Sequence, residues 1–279
     1  MKFQKVPLSP SQNQLKGWAR LTNARFRRTD RLFLAEGVKI VGELLKSDWQ
    51  TEAILVLPEK KPYWEKLIAD AFPESRQSSN PPIYALNRSE WKKISQDKEP
   101  EGLLAIVQNR PETPLPEWLK YPQGHLLIGH EISNPRNLGA LIRSARWFGF
   151  SGILLSGKSA DWTNPKSIRA SMGGLFQLPL FSGLQLENIL PEIRKNYFLI
   201  GSDVKQGVSP HPLTKKAALL LGSESHGLPE NILEQMDERW RIAGNSEADS
   251  LSLPQAAAVM MYEMVKSGKE FQPEKGELS

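Results

Sequence analysis

The chain has 279 residues, long enough for two domains that each bury a core, and a modest formal net charge of +5. It contains no cysteine, which excludes disulfides, thiolate nucleophiles and cysteine-ligated metals. Four scattered histidines, His125, His130, His211 and His226, lack metal-ligand spacing.

From the N-terminus, Met1 to Pro10 carries lysines but no long apolar run behind them, so a signal peptide is not expected. No later stretch reaches the roughly 20 apolar residues of a membrane span, and a cytoplasmic location is expected. Residues 11–29 read as one polar, arginine-rich helix. A short strand and turn follow at Phe33–Gly37, then a helix over Val38–Leu45 with apolar residues at helical intervals. Ala53–Leu57, closed by Pro58, reads as a buried strand. Tyr63–Ala71 reads as a helix, Ile83–Leu86 as a strand, Ser89–Ile94 as a helix and Leu103–Val107 as a strand. This alternation predicts a layered α/β unit over 1–108. Four prolines (Pro111, Pro114, Pro116, Pro122) mark 109–123 as a linker.

The region 124–267 alternates again. Strands are expected at Leu126–Gly129, Gly152–Leu155, Leu178–Phe181, Phe198–Ile200, Ala218–Leu221 and Trp240–Ile242. Helices are expected at Leu138–Phe148, Pro165–Met172, Leu186–Lys195, Pro229–Met236 and Leu253–Val265. Apolar strands joined by crossover helices predict a parallel sheet. Residues 268–279 form a polar tail.

Charge is distributed unevenly. Lys2, Lys5, Lys16, Arg20, Arg25, Arg27, Arg28 and Arg31 face one acid, Asp30, over the first 31 residues. A second basic set comprises Arg136, Arg143, Arg146, Lys158, Lys166 and Arg169. Either set alone is equally a solvated helix face; together, flanking a candidate site, they favour a polyanion such as RNA.

Three blocks carry the chemistry. In the first, Asn134-Pro135 signals a helix start, with Asn137 at its mouth and Leu138, Leu141, Ile142 and Ala145 on its apolar face. Arg143 and Arg146 lie on or beside the opposite face, where a guanidinium fork matches phosphate geometry. Taken singly, these residues are also what a capping asparagine and solvent arginines look like. The second block, Gly222-Ser223-Glu224-Ser225-His226-Gly227-Leu228, spaces its glycines like a P-loop. Leu228-Pro229 then replaces the required Lys and Ser/Thr, which removes NTP binding, and no Gly-x-Gly-x-x-Gly exists elsewhere. A glycine turn there still lets main-chain groups approach a flat adenosine. The third block, Asp249-Ser250-Leu251-Ser252-Leu253-Pro254-Gln255, fits a capping box with Ser252 as N-cap and Gln255 at N3.

In this order and spacing the blocks resemble the three motifs of the SpoU family of RNA 2′-O-ribose methyltransferases, in the SPOUT class. The resemblance implies a C-terminal trefoil-knotted, parallel-sheet domain and a smaller N-terminal α/β/α, ribosomal-protein-like RNA-binding domain. It also implies S-adenosylmethionine as cofactor, bent in the knot against Gly222, Gly227, Ile242, Leu251 and Ser252. Arg143 and Asn137 would serve the site, Arg143 holding a phosphate beside the acceptor ribose, with Glu224 organising the loops and Ser250 touching ribose or the second-block loop. Arg25, Arg27, Arg28, Arg136, Arg146 and Arg169 are the candidate RNA contacts. A homodimer is implied, Arg143 serving the partner's cofactor. Ribosomal RNA is the expected substrate and transfer RNA the alternative. Ser252 stands where the family reads asparagine, and Ala243 follows Ile242 where the family has proline. A non-catalytic RNA-binding protein is therefore a further alternative.

Overall fold

The computed structural model describes residues 7–72, 80–110, 115–119, 124–245 and 251–266. The chain divides into two compact units, one of Met1–Pro111 with Asp161–Gln177, the other of Glu112–Ala160 with Leu178–Ser279.

In the first unit, the expected single helix is two: α1 (Gln12–Arg20) and α2 (Ala24–Asp30). Thr22 and Asn23 break it by bonding locally: Thr22 Oγ1 donates to the Ala19 carbonyl, and the Asn23 side chain accepts from Arg25 N–H, both at 2.9 Å. Then come β1 (Leu32–Glu36), α3 (Val38–Leu45), β2 (Thr51–Val56), α4 (Lys61–Ala71), β3 (Ile83–Ala85), α5 (Arg88–Ile94) and β4 (Leu103–Gln108). The described strands form a sheet of order β1-β4-β2-β3, antiparallel at β1/β4 and β2/β4 and parallel at β2/β3. Leu15, Trp18 and Leu21 seal one face over Leu34, Leu55, Leu104 and Ile106.

The second region continues with α6 (Leu115–Trp118), β5 (Leu126–Gly129), α7 (Pro135–Trp147), β6 (Gly152–Ser156), α8 (Pro165–Ser171), β7 (Leu180–Leu184) and α9 (Leu186–Arg194). It ends with β8 (Phe198–Ser202), β9 (Ala217–Leu221), α10 (Glu230–Leu233), β10 (Glu238–Trp240) and α11 (Leu253–Val265). Among the described residues the sheet is parallel at every pairing, in the order β10-β8-β9-β5-β6-β7. Its strands are almost wholly apolar because helices cover both faces, and Leu126, Ile128, Leu199 and Leu220 pack under Leu190, Ile193 and Ile232.

Helix α8 and its flanks, residues 161–177, group with the first unit although the sequence assigns them to 124–267. The cause is local packing: Trp162 and Phe176 join Phe33 and Trp49 in one aromatic cluster, with ring centroids 5.7 to 6.4 Å apart.

Two of the arginines expected to contact RNA have partners within this unit. Arg27 is 3% exposed, its guanidinium bonded to Thr163 Oγ1 and the Leu21 and Thr22 carbonyls at 3.0 Å each and to Asp161 Oδ2 at 2.6 Å. Four of its five N–H donors are spent on protein acceptors within this unit. Arg169 pairs with Asp97 at 2.8 Å and Glu36 at 3.5 Å within this unit. Arg25 and Arg28 are exposed.

Candidate active site

The chain runs from β5 outward to β6 and β7, and β8, β9 and β10 lie on the other side of β5. Strand order therefore reverses between β5 and β9, and in open parallel sheets ligands bind beyond the carboxyl ends at such a point. Gly129 is in register with Leu221, so His130 and Gly222 leave the sheet side by side, and His130 N–H donates to the Leu221 carbonyl at 2.8 Å.

The second motif occupies that edge. A Cβ on Gly222 would stand 2.0 Å from the Gly227 carbonyl carbon and 2.2 Å from Leu228 N, so the loop closes only over glycine. Gly227, at φ +67°, donates its N–H to the Ser223 carbonyl at 2.9 Å, and His226 N–H donates to Ser223 Oγ at 3.2 Å. Glu224, Ser225 and His226 stand exposed at the tip. The result is a tight turn that presents main-chain groups instead of side chains.

Beyond β8 the chain straps itself along β10. Asp203 N–H donates to the Trp240 carbonyl, Val208 N–H to the Arg239 carbonyl, and Arg241 N–H back to the Val208 carbonyl, at 3.0, 2.9 and 2.9 Å. Gly207, at φ +141°, sits where a Cβ would strike the Arg239 carbonyl oxygen at 2.4 Å. His211 and Trp240 both reach Glu238 Oε2 at 2.9 Å, which anchors the far end of the strap. Because Arg241 turns to the strap, the strand ends at Trp240, and Ile242 lies past it instead of inside it.

The third motif begins α11. Ser252 N–H and Oγ–H donate to Gln255 Oε1 at 3.2 and 2.9 Å, the expected cap. Leu251 is 49% exposed, and Ser250 lies outside the described residues. Helix α11 packs on α7 and against β9, which brings the third motif's helix onto the first motif's helix.

On α7 the N-cap is Asn134, accepting from Arg136 N–H at 2.9 Å; Asn137 is the third residue of the helix and half-buried. Leu138, Leu141, Ile142 and Ala145 are buried, as the periodicity predicts. Arg136, Arg143 and Arg146 are exposed, and none forms an ion pair among the described residues.

Two family models match this chain: the SpoU rRNA Methylase family over residues 124–262 and the MRM3-like substrate binding domain over 12–105. The chain belongs to the SpoU rRNA methylase family. The 23S rRNA (guanosine(2553)-2′-O)-methyltransferase RlmP of Bacillus subtilis is 25% identical over 259 residues, 92% of this chain and 97% of that protein. The 23S rRNA (uridine(2479)-2′-O)-methyltransferase of Streptomyces viridochromogenes is 25% identical over 89% of this chain and 88% of its own length. The structure of an AdoMet-bound rRNA methyltransferase from Sinorhizobium meliloti superposes with a TM-score of 0.78 at 25% identity, covering 92% and 96% of the two chains. As a SpoU protein, the chain is an S-adenosylmethionine-dependent RNA methyltransferase with an N-terminal substrate-binding domain.

One residue beside the Gly222–Gly227 turn was not singled out by its sequence. Glu131, next to His130 at the end of β5, has φ +52°, a backbone region that residues other than glycine seldom occupy. Nothing in its residue type announces that geometry. The Lys158 ammonium, 2.9 Å away, holds the Glu131 carboxyl below the ordinary carboxylate range, with His130 and His226 adding to the effect.

Proposed function

We propose that this protein transfers the methyl group of S-adenosylmethionine to a ribose 2′-hydroxyl of ribosomal RNA, working as a homodimer in the cytoplasm with its cofactor in a knotted pocket. The observation that carries the reading is the Gly222–Gly227 turn. It closes on its own backbone at the strand-order reversal, a main-chain cradle suited to a flat adenosine and unsuited to a triphosphate.

When bound, the cofactor supplies a methyl group already activated on sulfonium, so neither a metal nor a covalent nucleophile is required. Gly222, Gly227, Ile242 and Leu251 would hold it through main-chain contacts. Bound there, it would offer that methyl to the 2′-oxygen of the acceptor, whose proton must leave as the new bond forms. Protein groups must then align the hydroxyl and stabilise its growing negative charge. Arg143 is the residue for that role: exposed, without an ion-pair partner among the described residues, and permanently cationic, hence an electrostatic stabiliser and not a base. Asn137 and Ser250 would orient the sugar, Glu224 the loops, and Ser252 would meet the cofactor with a hydroxyl in place of the family's amide. The dimer is supported by apolar side chains left open on α7 and α11, Trp147 (74% exposed), Val259 and Tyr262.

The test incubates the protein with methyl-labelled cofactor and total RNA, then digests the product to nucleosides. Label on ribose in ribosomal RNA is the expected outcome. Label on bases overturns the ribose assignment, label confined to transfer RNA replaces the substrate, and no cofactor binding by calorimetry supports the non-catalytic reading. Arg143→Ala should lower the transfer rate by about two to three orders of magnitude while leaving cofactor affinity nearly unchanged.

A further inference from the structure

The corner where β5 ends holds more positive and hydrogen-bonding groups than the reaction just described uses. Lys158 (81% exposed) reaches Glu131 Oε1 at 2.9 Å, and His130 Nε2 lies 4.0 Å from the same oxygen. His130 Nδ1 is buried with no hydrogen-bond partner among the described residues. His226 stands exposed at the tip of the Gly222–Gly227 turn, which leaves the sheet beside His130.

The frame around this corner is fixed. Glu131 N–H donates to Ser156 Oγ at 2.7 Å, Ile132 N–H to Ser159 Oγ at 3.2 Å, and Ala160 N–H to the Ile132 carbonyl at 2.8 Å. The loop after β5 is thus clamped to the loop after β6, and Glu131 keeps its left-handed backbone because both neighbours are tied down. The Glu131 carboxylate is 36% exposed and the Lys158 ammonium it meets is 81% exposed. Among the described residues it is the only acid paired with Lys158, and a solvent-exposed pair of this kind is weak enough to exchange partners.

We propose that Lys158, with His226 and His130 beside it, forms a phosphate subsite for the RNA backbone next to the cofactor turn, and that the Glu131 carboxylate occupies it in the free protein. This rests on the RNA-methyltransferase reading above and adds to it a phosphate contact outside α7. A phosphate diester carries the same charge as the carboxylate and offers the same kind of acceptor oxygens. RNA entering the site exchanges one anion for another on Lys158. The carboxylate then lowers the affinity of any polyanion that must displace it.

Filter binding of bulk ribosomal RNA to the full-length protein across a salt series tests the subsite, with Glu131→Gln, Lys158→Gln and the double variant. All three changes are conservative or exposed, and thermal melting of each verifies the fold. Glu131→Gln should tighten binding about fivefold at low salt, the value of one unit-charge contact in water. Lys158→Gln should weaken binding and reduce the logarithmic salt slope by about 0.7 to 0.9, the loss of one phosphate contact. In the double variant the Glu131→Gln gain should vanish. Equal affinities and slopes for all four proteins overturn the subsite while the labelled-methyl assay leaves the enzyme reading intact. A wild-type protein that binds no RNA at any salt overturns both.

Discussion

At residue scale, the site depends on single atoms in two opposite senses. At Gly222 the absence of a side chain is what matters, since even a methyl group would overlap the Gly227 backbone. Gly222→Ala should therefore cut cofactor affinity more than tenfold in calorimetry, with a smaller effect on the melting temperature because the loop lies at the sheet's edge. Arg27 works the other way: its value lies in four buried hydrogen bonds made by one guanidinium. Arg27→Ala removes the cation paired with Asp161 and the donors to two carbonyls, and should cost about 3 kcal/mol in chemical denaturation. Glu36 makes the pH dependence visible. Burial pushes its carboxyl above the ordinary carboxylate range, and the Ser95 hydroxyl and Arg169 only partly offset this. A raised folded-state pKa means the native state keeps its proton longer than the unfolded chain. The contribution is then fully present below the unfolded value and lost as pH rises through the folded one. Glu36→Gln should flatten the fall in melting temperature over that interval; a slope identical to wild type would refute the assignment.

At element scale, α11 is the helix on which the third motif depends. Ser252→Ala should destabilise by about 1 kcal/mol through loss of the cap, whereas Ser252→Asn keeps a good cap and restores the family's amide. Comparing methyl transfer by these two variants separates capping from cofactor contact. The extent of α11, and the helix and strand character of most segments, could be read from apolar periodicity because one face or both faces of each element are buried. Other features were hidden. The break between α1 and α2 turns on the local bonds of Thr22 and Asn23, and helical periodicity does not register them. Asn134 and Asn137 are both capping residue types, and only backbone geometry shows that Asn134 holds the cap. Arg27 sits in an arginine-rich run that looks solvent-facing, yet its partners are 134 and 136 positions away. The order of the strands was equally silent, since β1 pairs with β4 and β5 with β9 across long stretches of chain.

At the scale of the whole molecule, the exposed aromatics of α7 and α11 make a direct prediction about assembly. Replacing Trp147 and Tyr262 together by aspartate should convert a dimer to a monomer in sedimentation, since each would place a charge in an apolar contact. The grouping of residues 161–177 with the N-terminal unit has a practical consequence for anyone dissecting the protein. A fragment begun at the proline-rich boundary would carry Trp162 and Phe176 but not Phe33 or Trp49, and Asp161 but not Arg27. Such a truncation should come out of cells insoluble or clotted, and adding back the missing piece in trans should rescue it. The two halves are separable on paper at residue 112, but scissors applied there would cut one of them in two.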